Sequence, residues 1–129
     1  MSSSPGMKSA RAPSPLGPYP HARRAGGLLF LSGIGPRRPG TDEIPQTFEA
    51  QCRSVFDNVR AVLEDAGARW EDLVDVTVFL TDMKRDFATY NRLYGEYFAA
   101  ARPCRTTVEV GALPTPISIE LKCIAEIRT

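Results

Sequence analysis

The chain has 129 residues, 43% of them hydrophobic, and its 16 basic and 15 acidic side chains leave a formal charge of +1. That length suits one domain with a modest core, and the balanced charge offers no basic surface for nucleic acid or a membrane. No apolar run reaches the ~18 residues of a membrane span, and the three cysteines and single histidine fit no zinc spacing.

In chain order, Met1-Ser2-Ser3-Ser4-Pro5-Gly6 lacks the apolar stretch of a secretory signal, so a cytoplasmic location is expected. Residues 1–15 are rich in Ser, Pro, Ala and Gly and read as an N-terminal arm ahead of a domain spanning 16–129. A first strand is expected over Tyr19 to Arg24, ending at Gly26-Gly27, and a buried strand over Leu28 to Gly33. Ile34 to Arg37 would continue that strand past a bulge, before a turn at Arg38 to Asp42. Phe48, Cys52, Val55, Phe56, Val59, Leu63 and Ala66 recur at helical period, so a helix is predicted over Thr47–Ala66 with Thr47 as N-cap and Gly67 as stop. Alternation predicts a strand over Leu73–Leu80. A second helix is expected from about Arg85 to Ala100, with Phe87, Tyr90, Tyr94, Tyr97 and Phe98 as its apolar stripe. Cys52 and Cys123 read as small core residues, whereas Cys104, beside Arg105, lacks a neighbouring base.

Two final alternating runs, Thr106 to Val110 and Ile117 to Leu121, are joined by a short link from Gly111 to Pro116 that is expected to lay them side by side. Arg105 and Glu120, at the edges of these runs, would then face each other across neighbouring strands. Such a pair can hold an anionic substrate and move a proton; a structural salt bridge is the other reading the spacing allows. The order of elements, β-β-(β)-α-β-α-β-β, predicts an α+β domain: one sheet with both helices on one face. Apolar residues on the other face would be covered most simply by self-association. No phosphate loop, catalytic Ser-His-Asp pattern or other cofactor signature is present, which favours chemistry needing only proton transfer, water and charge recognition.

Gly17-Pro18-Tyr19, Leu29-Phe30-Leu31-Ser32-Gly33, Val76-Thr77-Val78-Phe79-Leu80-Thr81-Asp82-Met83, Phe87-Ala88-Thr89-Tyr90-Asn91, Pro103-Cys104-Arg105-Thr106-Thr107-Val108-Glu109-Val110 and Ile119-Glu120-Leu121-Lys122-Cys123-Ile124-Ala125 occur in that order. Together they resemble the Rid family (RidA/YjgF, reactive intermediate deaminases) over about residues 14–127. The resemblance implies a chorismate-mutase-like α+β fold and a homotrimer with a central barrel and active sites between subunits. It implies hydrolysis of 2-imino or 2-enamino acids to 2-oxo acids and ammonia, with a small-molecule carboxylate as substrate and no metal or organic cofactor. Its substrate-gripping arginine falls on Arg105, whose planar fork suits a carboxylate. Its acid falls on Glu120, which would position or deprotonate water and help ammonia leave. Tyr19, Ser32 and Asn91 match lining positions, and backbone N–H groups near Gly33 could hold a carboxylate oxygen.

The sequence departs from the general family pattern in a short loop between Phe98 and Pro103 and in basic stretches at Tyr19 to Arg24 and Arg37 to Pro39. With Arg105 to Val108 and Leu113 to Pro116, these resemble the 2-aminomuconate deaminase branch. That substrate carries a second carboxylate, for which Arg37, Arg38 and His21 are the candidate cations; solvated surface charge is the alternative. A general 2-imino acid deaminase and a non-catalytic trimer that binds small carboxylates are the rival functions. RNA cleavage, suggested for some relatives, finds no basic groove here.

Overall fold

In a computed structural model, which describes residues 6–127, the strand-forming runs gather into one five-stranded sheet. The elements are β1 (Ala22–Ala25), β2 (Leu28–Leu31), α1 (Phe48–Asp65), β3 (Leu73–Leu80), α2 (Met83–Phe98), β4 (Cys104–Glu109) and β5 (Ile119–Glu126), with one 3₁₀ turn at Trp70–Asp72. Residues 1–5 of the expected arm lie outside the described part. No helix among the described residues is long and apolar enough to cross a membrane.

Local chemistry sets the helix ends. The Thr47 hydroxyl accepts the Ala50 N–H at 3.1 Å, and the chain leaves α1 through Gly67 at φ +86°. Asp82 caps α2 by accepting the Arg85 N–H, so this helix begins at Met83, earlier than its apolar stripe suggests. Val55, Phe56, Val59, Val62 and Leu63 of α1 are wholly buried, as are Val76, Val78 and Leu80 of β3 and Ile119, Leu121 and Cys123 of β5. Each such aliphatic side chain contributes roughly 1.5–3 kcal/mol by leaving water. Both helices therefore cover the same sheet face. Of the predicted stripe on α2, Tyr90 and Phe98 are buried but Phe87 is exposed. Cys52 and Cys123 lie in this core, where burial pushes both thiols up to about 12.

The expected hairpin of the last two strands does not form. The strand order is β1-β2-β5-β3-β4, so β3 separates β4 from β5. The reason is the crossover. Helix α2 links β3 to β4, and a strand-helix-strand unit pairs its strands in parallel. β5 then takes the remaining edge of β3, antiparallel, and residues 110–118 carry the chain across. β1 begins at Ala22 rather than Tyr19, because Tyr19 and Pro20 belong to a loop. The expected continuation of β2 over 34–37 is reduced to one bridge, Ile34 to Leu121. Before it the chain bulges at Ser32-Gly33, as the glycine suggested.

Strand pairing also assigns faces. Arg105 is level with Val76 on β3, and Glu120 with Phe79. Cross-strand neighbours share a face and successive residues alternate. Arg105 therefore lies on the helix side of the sheet and Glu120 on the open side. Leu28, Phe30 and Val108 stay exposed on that open side, beside the half-buried Phe79 and Ile124.

Candidate active site

The bulge between β2 and β5 opens a cleft of about 120 Å³. Its floor is Ser32, Gly33, Ile34 and Glu120. Pro114, Thr115 and Ile117 line it as well, as do Tyr19, the arm residues Pro13 to Pro15 and the adjoining Leu16. The Glu120 carboxylate lies directly over Gly33, and a Cβ there would meet its Oε2. The glycine leaves room for the carboxylate in this position and is not required by backbone conformation. No hydrogen bond or ion pair from any described residue engages the Glu120 carboxylate. Desolvation raises its pKa above the ordinary carboxylate value of 4.5. An unpaired, half-buried carboxylate beside a cleft is poised to exchange protons.

The Ser32 hydroxyl donates to the Pro20 carbonyl at 2.7 Å, tying the bulge to the loop that carries Tyr19. The Tyr19 hydroxyl oxygen accepts the Leu16 N–H at 3.1 Å, which leaves its own proton free to donate.

Arg105 stands elsewhere. Its guanidinium lies over the rings of Tyr90 and Tyr94, 5.3 and 4.7 Å from their centroids, and one N–H donates to Asn91 Oδ1 at 2.8 Å. The Tyr90 hydroxyl bonds Thr107 at 2.7 Å, fixing one of the supporting rings. Arg105 forms no ion pair with a described residue, so the intrachain salt bridge to Glu120 is absent. The guanidinium is oriented by two ring faces and one amide and stays exposed.

A profile of the family described as Endoribonuclease L-PSP matches residues 9–127. A RutC family protein of Pyrococcus horikoshii is 45% identical over 115 residues, covering 88% of this chain and 90% of the relative. The 2-iminobutanoate/2-iminopropanoate deaminase of Escherichia coli is 39% identical over 122 residues, covering 92% and 94%. The crystal structure of the E. coli YjgF gene product superposes with a TM-score of 0.89 at 39% identity, covering 95% of this chain and 98% of that one. That of E. coli TdcF with bound serine gives 0.89 at 37%, covering 96% and 98%. The chain belongs to the Rid (YjgF/RutC) family. The α+β sheet with two helices is the fold of the Rid family structures it matches.

The residues that the Rid resemblance singled out fall into two groups. Tyr19, Ser32, Gly33 and Glu120 share the cleft; Asn91 and Arg105 share the corner at the edge strand. Of the three candidate second cations, Arg37 lines the cleft, donates to Ser14 O at 2.7 Å and lies 3.6 Å from Asp42. Arg38 does not reach the cleft and pairs with Glu43 at 3.0 Å. His21 lines the cleft, but both ring nitrogens are taken by backbone groups of the arm. Cys104 alternates with Arg105 and points to the opposite face of β4.

Sequence reasoning missed two parts of the site. The arm residues Pro13 to Leu16 form a wall, although their composition reads as a tail. Tyr90 and Tyr94, read as core, also carry Arg105; their placement four apart on one helix face, opposite an arginine-bearing strand, was the available signal. The Tyr94 hydroxyl is buried without a hydrogen-bond partner among the described residues. Thr115 adopts φ +69°, an uncommon state for a β-branched residue, at the cleft edge between two prolines.

Proposed function

We propose that this chain is a deaminase that hydrolyses 2-imino and 2-enamino acids to 2-oxo acids and ammonia, at a site completed between subunits. One observation carries the reading. A half-buried carboxylate without a hydrogen bond or ion pair from any described residue and a stacked, exposed guanidinium lie on opposite faces of one sheet, so a second protomer is needed to bring them together. The homotrimer implied by the family resemblance is the assembly we infer. The apolar open face supplies surface for it, since a patch containing Leu28, Phe30 and Val108 is poorly suited to water. The name of the E. coli relative, a 2-iminobutanoate/2-iminopropanoate deaminase, supports the reaction class.

In this scheme the Arg105 fork takes the substrate carboxylate, held in plane by Asn91 and the tyrosine faces. An enamine first takes a proton from solvent at C3 and becomes the protonated imine, C=NH₂⁺. Glu120 then accepts a proton from water as the water oxygen bonds to C2, while the C=N π electrons pass to nitrogen and neutralise it. The resulting carbinolamine carries OH and NH₂ on C2. Protonated Glu120 returns its proton to that nitrogen. The C–N bond breaks with its electrons leaving on ammonia, the hydroxyl oxygen forms the C=O bond, and the hydroxyl proton passes to the emptied Glu120 carboxylate and on to solvent. A carboxyl group held above its ordinary pKa serves in both directions. The free Tyr19 proton is available to the reacting oxygen or nitrogen.

Within this class, 2-aminomuconate is the substrate we put first. Arg37 supports it, because this guanidinium lines the cleft that holds Glu120 and keeps donors beyond those spent on Ser14 and Asp42. The relatives' names support the broader set of short 2-imino acids. Ammonia release is measured with 2-imino acids and 2-aminomuconate generated enzymatically in place. Turnover of both classes, abolished in Arg105→Ala, is expected. Undiminished turnover in that variant rejects the role of Arg105. Turnover of small imino acids alone retires aminomuconate and leaves the deaminase. Calorimetric binding of 2-oxo acids without ammonia from any substrate would instead indicate a carboxylate-binding protein.

A further inference from the structure

The cleft has two unlike walls. Its floor hangs from the sheet through main-chain pairing, Ile34 to Leu121 in both directions at 2.8 and 2.9 Å. The outer wall, residues 13–16, belongs to no sheet. Side chains hold it. The Ser9 N–H donates to His21 Nδ1 at 2.8 Å. A backbone N–H can only donate, so Nδ1 is the acceptor and the ring proton sits on Nε2, which donates to the Pro13 carbonyl at 2.6 Å. The ring is almost wholly buried. It thus clasps the segment 9–13 at both ends. Further anchors sit outside the cleft: Ser9 Oγ to Asp65 at 2.6 Å, and Arg11 to Asp65 at 2.8 Å and Glu64 at 3.2 Å. Arg37 holds the Ser14 carbonyl from the cleft side.

What this wall offers is hydrocarbon: Pro13, Pro15 and Leu16, with the Ser14 carbonyl already engaged. It has no charge with which to grip a carboxylate. It can only pack against the part of a substrate that projects away from the reacting carbon.

We propose that His21 is a positioning residue that fixes residues 9–16 as the outer wall, and that this wall sets the size of substituent the site accepts. The proposal rests on the deaminase reading of the cleft. Removing the ring leaves a buried N–H and a buried carbonyl unpaired, whereas glutamine at the same position can accept through Oε1 and donate through Nε2.

The test compares wild type, His21→Ala, His21→Gln and Leu16→Ala. Steady-state kcat and KM are measured on 2-imino acids made in place from alanine, leucine and phenylalanine, alongside amide hydrogen exchange over residues 9–16. In His21→Ala, exchange in this segment rises about tenfold while β2 and β5 keep their protection. Discrimination between the small and bulky imino acids falls several-fold, through KM rather than kcat. His21→Gln restores both. Leu16→Ala, at an exposed position that leaves the fold intact, shifts the same small-to-bulky ratio even where His21→Ala fails to fold. Unchanged arm exchange in His21→Ala, or an unchanged ratio in Leu16→Ala, overturns the proposal. A wild-type chain inert towards every imino acid overturns the functional reading and the size-selection claim with it. Arm exchange in His21→Ala still decides separately whether His21 holds the wall, so the two failures are told apart.

Discussion

At residue scale the site is set by what a carboxylate loses and gains in its cleft. No described residue partners the Glu120 carboxylate to repay its desolvation, so its charged form costs stability. Its folded pKa lies above the unfolded one. The stability linked to it is therefore complete below the ordinary value of 4.5 and is lost as pH rises through the folded pKa. Glu120→Gln is accordingly expected to unfold at a higher temperature than wild type at pH 7, with the gain vanishing in acid, while deamination falls roughly 100-fold or more. Thermal melts at pH 4 and pH 7 with a paired ammonia assay check this; equal melting temperatures at pH 7 would count against an uncompensated carboxylate. Gly33 gives a complementary test. A Cβ would meet only the far end of the flexible Glu120 side chain. Gly33→Ala should thus fold with near-normal stability and yet lose turnover, because the carboxylate must move; full activity would show that the Glu120 position is not critical. Thr115→Gly, by relieving a left-handed β-branched residue, is expected to stabilise the chain by about 1 kcal/mol in urea unfolding.

Secondary-structure elements were the most legible level. The span of β3 and the Thr47 cap of α1 appear as expected, because a β-branched alternating run and a hydroxyl ahead of an apolar helical stripe are local signals; the bulge between Leu73 and Asp75, which leaves the expected core residue Val74 exposed, is not one. Thr47→Ala should cost about 1 kcal/mol in denaturant unfolding and leave kcat unchanged, since the cap lies outside both halves of the site. A loss below a few tenths would mean the helix end is held by tertiary contacts alone. The start of α2 was less legible: its first turn is set by the Asp82 carboxylate, and its stripe includes Phe87, which stays in solvent. The pairing of β4 was misread because the link over 111–116 looks short enough for a hairpin. What decides the partner is the helix before β4, whose crossover places that strand parallel to β3.

For the whole molecule the decisive fact is that Arg105 and Glu120 lie on opposite faces of the sheet. The site we propose would unite them across two protomers. Mixing inactive Arg105→Ala and Glu120→Gln chains, unfolded and refolded together, should therefore recover a fraction of wild-type turnover, since some interfaces then pair an intact arginine with an intact glutamate. No recovery, with mixed assemblies confirmed by mass, would place both groups in one subunit's site. Phe30→Asp puts a charge on the exposed open face and is expected to shift the chain to monomers in light scattering and to abolish turnover together.

The residues alone determined the periods of helix and strand, the ends of α1 and the α+β class, and the motif resemblance nominated the side chains proposed to carry chemistry. Those are properties of neighbours along the chain, or of residue types kept in order. The tertiary structure decided that β3 lies between β4 and β5, that the proline-rich arm is a wall of the cleft, and that His21 serves that wall with both nitrogens. Each of these depends on which edge of a strand is left free once a crossover has closed, and on contacts between residues such as Ser9 and Asp65 that no local period records.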